Sequence, residues 1–306
     1  MKYRRLGKTE LTVSVIGVGT WQFGGEWGKD FSQSEVDQIL DKAHELGINL
    51  IDTAECYGDH LSEQLIGGYL KKNRRTDWII ATKFGHHFHD KFSRTDDYSV
   101  AAVQEQLEKS LRALQTDYID LYQFHSGPNE AFDNDELWTY LDKQVQAGTI
   151  RHLGLSIAKN GNMHQVTGAS RVNAQTIQVV YNRLDRKPEE EVFASCIEQD
   201  LGVLARVPLA SGYLSGKYKP GAVFAGNDVR HRHNSQHVDH LLAEVAKIKE
   251  SEVPEGMDMA QWALAWCLKH PAVTAVIPGS KSPEQVEANA KAAAYASDDH
   301  PQARVN

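Results

Sequence analysis

Eight short runs rich in Val, Ile and Leu recur along the chain: VSVIGVG, INLID, WIIAT, IDLYQF, IRHLGLS, TIQVV, GVLA and VTAVI. Most are separated by a segment of helical period, and this alternation restricts the fold more than any other feature. In SEVDQILDKAHELG, Val36, Ile39, Leu40, Ala43 and Leu46 share one face; Ser32 or Ser34 offers the N-cap, acids follow, and Gly47 ends the segment. SVAAVQEQLEKSLRALQ and EQVEANAKAAAYA have the same pattern. Eight alternations of buried strand and amphipathic helix predict a closed (β/α)8 TIM barrel of the α/β class. The competing open, doubly wound sheet would carry a glycine fingerprint at its first turn, and GVGTWQFGGEWG contains no GxGxxG opening a helix.

Two segments interrupt the repeat. Residues 1–14, MKYRRLGKTELTVS, alternate around Gly7 and predict an N-terminal β-hairpin that plugs the closed end of the barrel. The stretch from Ser211 to about His240 is long and rich in Gly and His, as expected of a binding loop or lid after strand seven. No low-complexity linker divides the chain, and residues 1–306 are expected to form one barrel domain.

A net charge of -8 without a concentrated basic patch argues against nucleic acid as a partner. The dense basic stretch, Lys71, Lys72, Arg74 and Arg75, falls at a helix end, where cations suit the local dipole. No apolar stretch approaches the roughly 20 residues needed to span a bilayer, and MKYRRLGKTE lacks the apolar core of a secretory signal. A cytoplasmic protein without membrane contact is expected. Cys56, Cys196 and Cys267 lack CxxC spacing and fit reduced thiols.

Four polar side chains stand at the ends of three successive runs: Asp52 and Tyr57 after INLI, Lys83 after WIIAT, and His125 after IDLYQF. On neighbouring parallel strands they converge on the barrel mouth, where such folds place chemistry. Tyrosine titrates near 10 in isolation, so donating a proton near neutral pH calls for a nearby cation that stabilises phenolate. Lys83 supplies that charge, Asp52 pairs with Lys83, and His125 orients or polarises a substrate oxygen.

Along nearly all 306 residues the chain resembles the aldo-keto reductase superfamily, in the branch related to potassium-channel β subunits. The resemblance is carried, in order, by VIGVGTW, INLIDTAECYG, SEQLIGG, ATKFG, DLYQFH, IRHLGLS, QVVYN, PLASGYLSGKY and IPGSKSPEQVEAN. It implies metal-independent hydride transfer between NADP(H) and an aldehyde or ketone. Tyr57 is then the proton donor, Lys83 lowers its pKa, Asp52 pairs with Lys83, and His125 orients the carbonyl. An alternative within the same resemblance is a cofactor-sensing regulatory subunit with slow turnover, like the β subunits of voltage-gated potassium channels.

The same resemblance assigns the cofactor contacts. Ser156, Gln178 and Asn182 surround the nicotinamide carboxamide. In the PLASGYLSGK loop, Ser211, Gly212, Leu214, Ser215 and Lys217 meet the pyrophosphate, small residues letting backbone N–H groups approach it. Gly279, Ser280 and Lys281 stand where barrels bind phosphate, Gln285 and Asn289 reach toward the adenine, and NADPH is favoured over NADH. Two departures stand out: Arg206 occupies a position where relatives stack an aromatic ring on the nicotinamide, and Ala288 stands where relatives carry Glu. Trp21, Trp27 and Phe84 are expected to wall the substrate pocket. His86, His87 and His89, with His231, His233, His237 and His240, are spaced too irregularly for a metal site. Exposed apolar helix faces serve a core or an interface equally, so the sequence leaves the oligomeric state open.

Overall fold

Each of the eight apolar runs supplies a strand that is covered on both faces. In the computed structural model, which describes residues 1–304, these are β1 (Val18–Gly19), β2 (Leu50–Asp52), β3 (Ile79–Phe84), β4 (Ile119–His125), β5 (Ile150–Ser156), β6 (Ala174–Val180), β7 (Gly202–Arg206) and β8 (Ala275–Val276). They are hydrogen-bonded in that order. Parallel bridges from Ile16 to Val276 and from Gly19 to Gly279 bring the first strand back to the last and close the barrel. A Cβ on Gly19 would lie 2.5 Å from the Ile277 carbonyl oxygen, so the seam needs glycine there.

The helices follow the sequence pattern. α1 (Gln33–Glu45) buries Val36, Ile39, Leu40 and Ala43. The choice of cap falls on Ser32: its hydroxyl accepts the Glu35 N–H at 3.3 Å, and the Glu35 carboxylate accepts the Ser32 N–H at 2.9 Å. Gly47 turns the chain out of the helix with φ 77°. α2 (Leu61–Leu70) and α3 (Val100–Leu114) pack outside β2 and β3.

At the closed end, Tyr3–Arg5 and Thr12–Ser14 pair antiparallel and press Leu6 and Val13 against Leu50, Ala81, Leu121, Leu204 and Ala275. The expected plug is therefore present. A third strand, Ala303–Arg304, adds to its edge; two residues carry no alternation for a sequence pattern to detect.

The mouth differs from expectation in two places. His86–Asp90 and Ser93–Asp96 form a hairpin after β3, which the polar stretch HHFHDKFSRTD did not signal because neither strand has an apolar face. After β7 the expected lid is shorter than foreseen. Asn234 accepts the His237 N–H at 3.0 Å and starts a helix, Ser235–Ser251, so His237 and His240 are helical. Among the described residues no helix is long and apolar enough to cross a membrane.

Candidate active site

Side chains two residues apart on a strand point to the same face. Leu50, Ala81 and Leu121 fill the barrel interior, and that register carries Asp52, Lys83 and Gln123 inward one step nearer the mouth. Lys83 Nζ donates to Asp52 Oδ1 at 2.7 Å and to the Thr53 carbonyl at 2.7 Å, and lies 3.3 Å from Tyr57 Oη. Asp52 Oδ2 accepts from Gln178 Nε2 at 2.6 Å and from Gln123 Nε2 at 3.2 Å. A fully buried ammonium is thus matched by one carboxylate, and that carboxylate is itself saturated, as a buried ion pair requires.

Burial pushes the Tyr57 phenol up to about 12, the Lys83 charge pulling against it. Lys83 acts in the expected direction, but enclosure outweighs it, and Tyr57 stays a protonated donor at neutral pH. Burial alone would lower Lys83, but Asp52 and Tyr57 outweigh it and hold the ammonium above its ordinary value. His125 is held well below its ordinary value by burial, then by its neighbours His86, Lys83, Arg206 and Arg94, so its imidazole is neutral.

These groups stand at the base of a cavity of about 380 Å³ that opens at the C-terminal ends of the strands. Trp21 and Trp27 wall it, packed edge to face at 5.1 Å, and Trp21 stacks over Tyr57 at 6.0 Å. Phe84 does not reach it: next to Lys83 on β3 it points the other way, 4.7 Å from the Tyr122 ring in the core. Arg206 does line the cavity. Its Nη2 donates to the Ile157 carbonyl at 3.1 Å, its Nε has no partner, and burial lowers its pKa.

A second arm of the cavity runs between the loops after β7 and β8. Ser211, Gly212, Ser215 and Lys217 line one side, with Ser211 and Gly212 both in left-handed conformation at φ 58° and 89°. Gly279, Lys281, Gln285 and Asn289 line the other. Leu214 lies outside the lining, because its turn directs it into a core cluster with Val245 and Trp262. Ser280 is also outside, accepting from Asn289 Nδ2 at 3.1 Å. Ser156 is buried beneath Gln178, and Asn182 holds the turn to Asp185. Lys281 Nζ donates to the Trp27 carbonyl at 2.5 Å.

Sequence reasoning missed Arg230 and Arg94. Arg230 donates to Asp228 at 2.7 and 2.9 Å and to Tyr218 Oη at 2.9 Å, and lies 5.4 Å from the Trp27 ring. Its signal was the DVR triplet within the Gly-rich loop. Arg94 comes from the hairpin after β3 and pairs with buried Glu26, which also accepts from Trp21 Nε1 at 2.6 Å. Nothing local marked it. Glu55, Cys56 and His125 form the one group with metal-ligating spacing among the described residues. Burial holds the Cys56 thiol well above its ordinary value and the Glu55 carboxyl at about 7, so a cation there would compete with two protons.

Residues 15–305 match the model of the Aldo/keto reductase family. The chain is 35% identical over 295 residues to the uncharacterized oxidoreductase YqkF of Bacillus subtilis (strain 168), covering 96% of this chain and 91% of that one. It is 32% identical over 313 residues to the NADH-specific methylglyoxal reductase of Escherichia coli (strain K12), covering 95% and 93%. The holo form of aldo-keto reductase AKR11C1 from Bacillus halodurans superimposes with a TM-score of 0.79 at 36% identity, covering 95% and 90%. Agreement in sequence and in backbone, continuous from β1 to the C-terminal segment, leads to one conclusion: the chain belongs to the aldo/keto reductase family of oxidoreductases.

Proposed function

We propose that the protein reduces aldehyde and ketone carbonyls with NADPH, Tyr57 giving the proton. The observation that carries this reading is a protonated phenol at the cavity base, 3.3 Å from an ammonium that is itself 2.7 Å from its carboxylate. Tyr57 donates its hydrogen as negative charge develops on the carbonyl oxygen, and the fixed charge of Lys83 stabilises the phenolate left behind. His125, neutral and at the cavity wall, donates a hydrogen bond to the same oxygen. Trp21 and Trp27 exclude water from that corner. When bound, reduced nicotinamide supplies the hydride.

The second arm of the cavity fits such a dinucleotide. Ser211 and Gly212 line one side in left-handed conformation, while Lys217, Arg230 and Lys281 supply cations for phosphates. Gln178 fits the nicotinamide carboxamide, Arg206 its face, and Gln285 and Asn289 the adenine end. Three cations beside that arm favour a 2'-phosphate, although the E. coli relative is NADH-specific by name. The expected setting is the cytoplasm.

Stopped-flow oxidation of NADPH and NADH against a panel of aldehydes tests the reading. Saturable turnover with kcat/KM about tenfold or more higher for NADPH is expected, the size of one charge-assisted contact. Equal or better use of NADH would overturn the cofactor preference, and cofactor binding without turnover would favour a sensing subunit.

A further inference from the structure

The proposed reaction leaves Glu55 unused, although it stands directly behind His125. Its Oε1 accepts the His86 N–H at 3.0 Å. Its Oε2 is buried without a hydrogen-bond partner and lies 3.9 Å from His125 Nδ1. An ionised carboxylate oxygen left unpaired in a residue only 2% exposed is costly, and protonation removes that cost by turning Oε2 into a donor. The imidazole nitrogen 3.9 Å away can accept that hydrogen. The other neighbour of Nδ1 is Cys56 Sγ at 3.7 Å, a weak donor.

His125 is neutral, so one ring nitrogen carries a hydrogen and the other a lone pair. Nδ1 faces Glu55 and Cys56 inside the wall, which leaves Nε2 for the cavity. Which nitrogen holds the hydrogen is set by the partner of the other. We propose that Glu55 is a positioning residue: its neutral carboxyl donates from Oε2 to Nδ1 of His125, keeping the imidazole hydrogen on Nε2, aimed at the substrate oxygen. Closing the gap to hydrogen-bond length takes a movement of roughly 1 Å.

The arrangement reverses when Glu55 loses its proton to solvent. Oε2 can then only accept, the imidazole hydrogen moves from Nε2 to Nδ1, and a lone pair faces the substrate oxygen. Burial pushes the Glu55 carboxyl up to about 7, the His86 N–H and the charge of His60 opposing and the charge of Glu63 adding. The acid is therefore neutral below that pH, and the donor is lost as pH rises through it. Other groups facing Glu55 are the Cys56 thiol and the phenols of Tyr98 and Tyr122; those facing His125 are His86 and Arg94 from the hairpin, Lys83 and Arg206.

The inference rests on the reading of His125 as the group that orients the carbonyl. It is tested by nitrogen NMR of protein labelled on its 14 histidines, with His125→Asn identifying the resonance. Wild type should show the Nε2–H form well below pH 7 and the Nδ1–H form well above it. Turnover should fall over the same range by on the order of 10²-fold, the effect of losing one donor to a developing oxyanion. In Glu55→Gln the amide oxygen takes the His86 N–H and the amide nitrogen donates to Nδ1 at every pH, so both changes should vanish. Cys56→Ala should behave as wild type. A tautomer that does not change with pH in wild type, a pH limb that persists in Glu55→Gln, or one abolished by Cys56→Ala would each overturn the proposal. The tautomer measurement needs no turnover, so its failure is distinguishable from a failure of Tyr57 as the acid.

Discussion

At the closed end of the barrel, Leu50, Ala81, Leu121, Leu204 and Ala275 meet Leu6 and Val13 of the hairpin. Two residues further along the same strands stand Asp52, Lys83, Gln123 and Arg206, with Ile277 just past β8. Both layers are buried, save for the partly exposed Arg206, and both are built by the same alternation of side chains. The apolar layer needs only to be filled, whereas the polar layer is tolerable only while each member holds the next: Lys83 on Asp52, and Asp52 on Gln123 and Gln178. One step along the strand thus separates an apolar plug from a layer that holds buried charge.

The comparison breaks first at Tyr57. Tyr57→Phe removes the donor and little packing, so turnover should fall by about 10²- to 10⁴-fold while cofactor binding, read by fluorescence titration, persists. Near-normal turnover would remove the polar layer from the reaction. Lys83→Met leaves Asp52 buried without its cation; urea unfolding should show a loss of about 3–5 kcal/mol. Adding Asp52→Leu should restore part of it, and a single variant as stable as wild type would show the pair to be dispensable. Leu121→Ala acts one layer below, with an expected loss of about 2–5 kcal/mol and turnover retained at a temperature where the variant is folded. Lost turnover there would mean that the two layers are not separable. The smallest change is Lys281→Ala, where KM for NADPH should rise about tenfold and KM for NADH stay level. Equal shifts for both cofactors would assign Lys281 to the Trp27 loop it also holds.

Much of the site was legible because its residues sit at strand ends. Asp52, Lys83 and His125 each follow an apolar run, and Tyr57 belongs to the INLIDTAECYG motif. Phe84 and Leu214 were misplaced for a common reason: a motif says that a residue is near a site, while only backbone geometry says which way it points. Phe84 follows Lys83 by one residue and faces the opposite side of the sheet, and Leu214 is turned into the core by its 3-10 turn. Arg94 was invisible because its hairpin lacks an apolar face, and it reaches the mouth by pairing with Glu26, 68 residues away in sequence.

By itself the sequence determined the barrel, its plug and the order of the chemical groups, since strand and helix periods are local and eight of them in alternation admit few closures. The tertiary structure alone decided the protonation of those groups. How far Tyr57 is enclosed, how His125 is hemmed in by cations and how Oε2 of Glu55 is left without a partner depend on distances between segments far apart in the chain. Desolvation and charge act through space, and no local pattern encodes them.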